Sequence, residues 1–211
     1  MKKLFITAIA AATFAAGAAE TFRLDADDTI IDRKSLPVLL KGRAVRQVSS
    51  DGKAAIQLRS NKFIPFQVAN DGKIINAAGG KISFCFKPYF TKKLPGEAWT
   101  VYPIVSLYSS EQKSGFYITL THHKGIYRYA FRTFDSNKKQ CSQSIEFKFT
   151  PGQWYTSEVA WDDTGIEIKI GEHREFIRGT GPYRIGNNKF FSIGGIGSDM
   201  EIADFVISDN N

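Results

Sequence analysis

Arg128 and Arg132 are the residues of this 211-residue chain whose type and spacing best suit holding a ligand. They sit in the run from Ile126 to Phe134, where strand alternation sends Tyr127, Tyr129 and Phe131 to one face and Arg128, Ala130 and Arg132 to the other. A guanidinium is a planar fork of N–H donors and meets a carboxylate or sulfate through two parallel hydrogen bonds. With the tyrosines packed inward, the outward surface is expected to gather Thr119, Thr121, Glu146, Lys148 and Glu158 as well, and to bind an acidic glycan. That expectation treats residues 116–121, 126–134, 144–149 and 156–161, consecutive strands in the sequence, as neighbours in one sheet. A solvated sheet with internal charge pairing is the competing reading of the same residues.

Other chemistries find less support. Glycoside hydrolysis needs two carboxyl groups a few ångströms apart, and Glu146, Glu158 and Glu167 are single acids on separate strands, near Lys148 or Lys169. β-Elimination needs a base and a group that neutralises a uronate. Candidates lie close together in His122, His123, Tyr127, Arg128, Tyr129 and Arg132, but the tyrosines and arginines occupy opposite faces of one strand. His122, His123 and His173 have no zinc-ligand spacing. The acidic cluster Asp25-Ala26-Asp27-Asp28 offers hard oxygens suited to calcium but lacks the spacing of a calcium loop, and a solvated turn is the stronger reading. Tyr89, Trp99, Tyr102 and Tyr108 could stack on sugars or fill a core.

The elements that must position these groups are strands. Residues 156–161 and 166–170 form a hairpin around Asp163-Thr164-Gly165, with Ser157, Val159 and Trp161 on one face of the first strand and Ile166, Ile168 and Ile170 on one face of the second. Such a hairpin buries one face only, and no amphipathic helix is available to cover it, so a second sheet is required. Further strands are expected at 21–24, 81–87, 102–108, 116–121, 126–134, 144–149, 190–195 and 200–208, with a hairpin across 44–59 turning at Asp51-Gly52. Phe63 to Phe66, interrupted by Pro65, belongs at an edge. After Ile170-Gly171-Glu172-His173 the chain is expected to loop through Gly179-Thr180-Gly181-Pro182, with no strand assigned before Phe190.

Composition bounds the cellular address and the partners. Lys2 and Lys3, the apolar run from Leu4 to Ala16 and the small residues that follow make residues 1–19 an export signal. The run is shorter than the roughly 20 apolar residues a bilayer crossing takes, and no transmembrane segment is expected. Residues 20–211 are expected to form one secreted, periplasmic or cell-surface domain. The chain carries 28 Lys and Arg against 21 acids, and loss of Lys2 and Lys3 leaves 26 against 21, a net charge of +5. The charges are interspersed, and no nucleic-acid partner is expected. In an exported chain Cys85 and Cys141 are expected to pair as a disulfide, unless they fold too far apart to join.

Four segments together resemble a known family: 80–88 (Gly-Lys-Ile-Ser-Phe-Cys-Phe-Lys-Pro), Gly152-Gln153-Trp154 through Trp161-Asp162, Ile193-Gly194-Gly195, and 201–208 (Glu-Ile-Ala-Asp-Phe-Val-Ile-Ser). They are similar to laminin-G-like and pentraxin-like members of the concanavalin A-like lectin/glucanase superfamily. The resemblance spans roughly Ala55 to Ser208. It implies an all-β, two-sheet antiparallel jelly-roll sandwich with glycans bound on the concave face or rim loops, and a calcium ion near the last strand with Asp204 at a ligand position. The expected function is a lectin-like glycan-binding domain without catalysis, and the alternatives are a polysaccharide-degrading enzyme of the same fold or a structural or protein-interaction domain. Asp204 reads otherwise as a residue that only closes the end of the sandwich. The superfamily also includes polysaccharide lyases, glycoside hydrolases and protein-binding modules. The Glu-x-Asp-x-x-Glu or Glu-x-Asp-x-Glu strand of its hydrolases, and the Tyr-x-Lys-x-Gly-x-Tyr and Gln-Ile-His patterns of its alginate lyases, are absent.

Overall fold

A computed structural model describes residues 20–24, 45–58, 66–69, 74–89, 100–107, 113–179, 183–185, 190–195 and 199–209. Fourteen strands occupy them: β1 (Glu20–Leu24), β2 (Val45–Ser50), β3 (Lys53–Leu58), β4 (Phe66–Ala69), β5 (Gly80–Pro88), β6 (Thr100–Ser106), β7 (Phe116–His123), β8 (Ile126–Phe134), β9 (Gln140–Glu146), β10 (Tyr155–Trp161), β11 (Gly165–Ile170), β12 (His173–Arg178), β13 (Phe190–Ile193) and β14 (Met200–Ser208). An eight-stranded sheet runs β12-β11-β10-β5-β14-β3-β2, with β1 also paired to β14, and a six-stranded sheet runs β4-β13-β6-β7-β8-β9. The strand pairings are antiparallel, and there is no helix among the described residues. This is a jelly-roll β-sandwich. Among the described residues no helix is long and apolar enough to cross a membrane.

The core forms because the period-two pattern of each sheet turns its large apolar side chains to the other. Phe84 and Phe86 of β5, Phe205 of β14 and Trp161 of β10 meet Phe116 of β7 and Tyr129 and Phe131 of β8, all 2% exposed or less. Ring centroids of Phe116 and Trp161 are 6.3 Å apart across the two sheets, and those of Phe86 and Tyr129 are 6.4 Å apart. Trp161 satisfies its indole by donating from Nε1 to the Asn76 carbonyl at 2.8 Å.

Several expectations need correction. Residues 156–161 do not neighbour 144–149. β10 pairs with β5, Ser157 opposite Phe84 and Val159 opposite Ile82, so the chain crosses from one sheet to the other between β9 and β10. The strand expected at 144–149 begins earlier: the Asp135 carboxylate accepts from the Lys139 amide at 2.8 Å, closing a turn that launches β9 at Gln140. Part of the loop expected after Ile170 is β12, which pairs with β11 from Ile170↔His173 to Gly165↔Arg178. The Cys85–Cys141 disulfide is not formed, and both thiols are free. Cys85 alternates with the buried Phe84 and Phe86 and therefore faces away from the core of the eight-stranded sheet, whereas Cys141 lies on β9, at the edge of the other sheet.

Candidate functional site

The outer face of the six-stranded sheet carries a groove of about 350 Å³ lined by Thr121, Arg128, Ala130, Arg132, Ser142, Gln143 and Ser144. Strand register builds it. Ala130 stands opposite Thr119 on β7 and Ser144 on β9, Arg128 opposite Thr121 and Glu146, and Arg132 opposite Tyr117 and Ser142. The small Ala130 side chain between two arginines leaves the floor open, and the serines of β9 furnish hydroxyls that donate or accept.

The two arginines are not equivalent. Arg128 Nη2 donates to Glu146 Oε2 at 3.1 Å, so its charge is met within the protein. Arg132, half-buried on the same face, makes no ion pair among the described residues. Thr121 is buried and donates from Oγ1 to the Arg128 carbonyl at 3.4 Å. Thr119 is fully buried, and its hydroxyl has no hydrogen-bond partner among the described residues.

Of the residues expected to share this surface, the structure therefore brings together Arg128, Arg132, Thr119, Thr121 and Glu146. Lys148 lies two residues past the end of β9, exposed and outside the groove lining. Glu158 is on the other sheet. Its oxygens accept from Lys169 at 2.9 Å and pair with Lys81 at 3.3 Å. Burial alone would raise its pKa, but the two lysines outweigh burial and hold it below the ordinary value. The sequence reading missed Tyr117, Ser142 and Ser144; the first was legible from its alternation with Thr119 and Thr121, the serines only from the β8–β9 register.

Asp204 is exposed at a bulge in β14, with φ of 53° and a register shift between Ala203 and Val206. The Lys53 ammonium lies 3.1 Å from its carboxylate, and no group of three His, Cys, Asp or Glu able to hold a metal occurs among the described residues. A cation there would have to displace a lysine and would find one acidic ligand, so the residues at Asp204 do not fit calcium, which takes six to eight oxygens. The cluster at Asp25, Asp27 and Asp28, and Trp99 and Tyr108, lie outside the described residues.

No protein-family model matches the sequence, and no curated protein matches it. Solved structures do match in fold. Domain 4 of AbnA, a GH43 extracellular arabinanase from Geobacillus stearothermophilus, solved in complex with arabinotriose, is 12% identical, with 91% of this chain and 93% of that one covered and a TM-score of 0.58. The enzymatically active domain of bacteriophage CBA120 tailspike protein 2 is 11% identical with a TM-score of 0.55 over 79% of this chain; the match spans only 27% of the tailspike chain. A family 7 alginate lyase in complex with substrate is 11% identical over 90% of this chain and 91% of its own, with a TM-score of 0.50. At these identities the likeness is one of fold.

Proposed function

We propose that this protein is an exported glycan-binding domain that takes an acidic glycan in the groove of the six-stranded sheet without catalysing its cleavage. The observation that carries this reading is Arg132, a half-buried guanidinium in a groove with hydroxyls on its floor and no internal counter-ion among the described residues. A carboxylate or sulfate on the ligand supplies that counter-ion, and Ser142, Ser144 and Thr121 accept or donate to neighbouring sugar hydroxyls. Fold likeness to an arabinanase domain solved with arabinotriose and to an alginate lyase solved with substrate supports a glycan as the ligand class. The laminin-G-like or pentraxin-like affinity is the narrower form of the same proposal.

The test is a glycan array with the parent and the Arg128→Ala, Arg132→Ala double variant. Acidic glycans are expected to bind the parent and to be lost by a folded double variant. Equal binding by both removes the groove as the site.

One observation favours a second reading. Tyr117 stands opposite Arg132 across β7 and β8, which places a phenol beside the cation that would neutralise a uronate carboxylate. In β-elimination Tyr117, as its phenolate, would take the proton from the carbon next to that carboxylate, a carbon–carbon double bond would form as the bond to the glycosidic oxygen breaks, and the phenol would return the proton to the leaving oxygen. Growth of the ultraviolet absorbance of an unsaturated uronate, lost in Tyr117→Phe, would establish the lyase in place of the lectin.

A further inference from the structure

A second polar site lies on the outer face of the eight-stranded sheet, away from the groove. Three segments converge there. Tyr155 pairs with Phe86, which brings Trp154 alongside Lys87 on one side, and Glu201 pairs with Lys87 on the other. Backbone hydrogen bonds from Gly152 to the Pro88 carbonyl at 2.7 Å and from Tyr89 to the Asp199 carbonyl at 2.8 Å lock these segments together. The turn after Pro151 needs the positive φ of 81° that Gly152 supplies. The tip of the β2–β3 hairpin reaches the same place, with Lys87 Nζ donating to Ser50 Oγ at 2.8 Å and Asp51 Oδ2 at 2.9 Å.

The arrangement is a buried ammonium with aromatic walls and two acids. Lys87 Nζ is 5.7 Å from the Tyr89 ring centroid and 5.9 Å from that of Trp154, and both rings are half-exposed. Glu201 is 5% exposed; its Oε2 lies 4.0 Å from Lys87 Nζ and accepts no hydrogen bond among the described residues. Trp154 Nε1 is buried, and its N–H helps the Lys87 ammonium hold the Asp51 carboxyl below its ordinary pKa. An acceptor, Glu201 Oε2, is thus unfilled beside two partly exposed aromatic side chains, and the Asp51 carboxylate beside them is open to solvent.

Charge decides what such a site accepts. Lys87 already fills the cation position between the rings, so a second cation meets its ammonium. Asp51 and Glu201, two negative charges against one positive, repel an anion. What remains is a neutral ligand with an apolar face and paired hydroxyls. We propose that this cluster is a second carbohydrate site, which stacks a neutral sugar ring on Trp154 and Tyr89 while Asp51 accepts from its hydroxyls. It is independent of the acidic-glycan groove and takes a neutral sugar where the groove takes a charged one.

An array of neutral glucose- and arabinose-based oligosaccharides, followed by titration of the purified chain with the best binder, tests it. Trp154→Ala and Tyr89→Ala are each expected to weaken binding about tenfold, the size of one lost stacking contact. Asp51→Asn, which keeps the shape of the side chain, is expected to weaken it as well. The Arg132→Ala variant is expected to bind neutral sugars as the parent does, which separates this site from the groove whatever the acidic array shows. The proposal is overturned if the parent binds no neutral oligosaccharide, or if Tyr89→Ala and Asp51→Asn, with melting temperatures like the parent's, bind as tightly. These two variants keep it falsifiable should Trp154→Ala fail to fold.

Discussion

The Tyr129 hydroxyl and Ser157 Oγ are hydrogen-bonded to each other across the interior of the sandwich, from β8 of one sheet to β10 of the other. Tyr129 and Ser157 are both fully buried, and the bond lies among the aromatic rings of the core. Burial, partly offset by that bond, pushes the Tyr129 phenol far above its ordinary range, so it stays protonated. Tyr129→Phe strands the serine and Ser157→Ala strands the phenol, and each is expected to cost about 1–3 kcal/mol. The double variant should cost less than the two together, because it strands neither. Denaturant unfolding of all four proteins checks this, and strict additivity would show that the contact carries no energy.

Arg128 and Arg132 should part company in binding assays. Arg132→Ala removes the guanidinium that has no ion-pair partner among the described residues and is expected to weaken acidic-glycan binding about tenfold or more. Arg128→Ala should cost less, since Arg128 must first be released from Glu146. Glu146→Gln, by freeing Arg128, should strengthen binding, and stability should move by under about 1 kcal/mol because the pair is on the surface. Calorimetric titration at two salt concentrations reads these differences, which should shrink as salt rises.

Stability should be flat with respect to the charged clusters between about pH 4.5 and 10.5, the ordinary pKa values of Glu158 and Lys87. The Lys87 hydrogen bond holds Asp51 below its ordinary 3.8, and lysines hold Glu158 below 4.5. Both contributions are present above those values and disappear as pH falls through the lowered pKa values. Lys87, raised chiefly by the hydrogen bond to Asp51, contributes fully below 10.5 and loses its share as pH rises through the raised pKa. Melting temperatures measured from pH 2 to 6 should fall less steeply on the acid side in Glu158→Gln and Asp51→Asn than in the parent.

Both cysteines should be chemically accessible as thiols. Cys85 and Cys141 are each partly exposed and unbridged. Under non-denaturing conditions without reductant, a maleimide is expected to add to both, read as two mass increments. Adding reductant should leave the melting temperature unchanged. A shift in melting temperature on reduction would place a disulfide where the fold shows none.

Gly165 is held by its neighbours rather than by turn geometry. A Cβ at this position would collide with the Ile177 carbonyl oxygen and the Phe176 ring on β12. Gly165→Ala should therefore destabilise by about 1–3 kcal/mol, as overpacking does. Phe176→Ala should not rescue it, because the carbonyl oxygen stays. Denaturant unfolding of the single and double variants decides.

Much of the sandwich is legible in the sequence because strand alternation is a local property. The run from Ile126 to Phe134 is β8 itself, and Asp51-Gly52 does turn the β2–β3 hairpin. Pairings between distant segments leave no such trace. Nothing near Thr156 to Trp161 tells that these residues join Gly80 to Cys85, so the sequence groups Glu158 with arginines that lie on the other sheet. The Arg128, Arg132 and Thr121 face follows from parity along two adjacent strands and was readable. Lys87, Trp154 and Glu201 were not, because they come together only through β5's two partner strands.

β14 bonds to β5 and β3 within the sheet and also carries β1. Three strands made earlier thus wait on residues 200–208: Phe22 for Ile207, Ile56 for Ile202, Ile82 for Ile207. As the ribosome synthesises this chain, β5 has neither β10 nor β14 beside it for most of the elongation time, so both its edges stay unpaired and Phe84 lacks the Phe205 ring that stacks on it. Contacts of such sequence separation also close slowly, in milliseconds to seconds for β-rich domains. The interval between the emergence of β5 and the arrival of β14 is therefore when the nascent chain has most need of a chaperone.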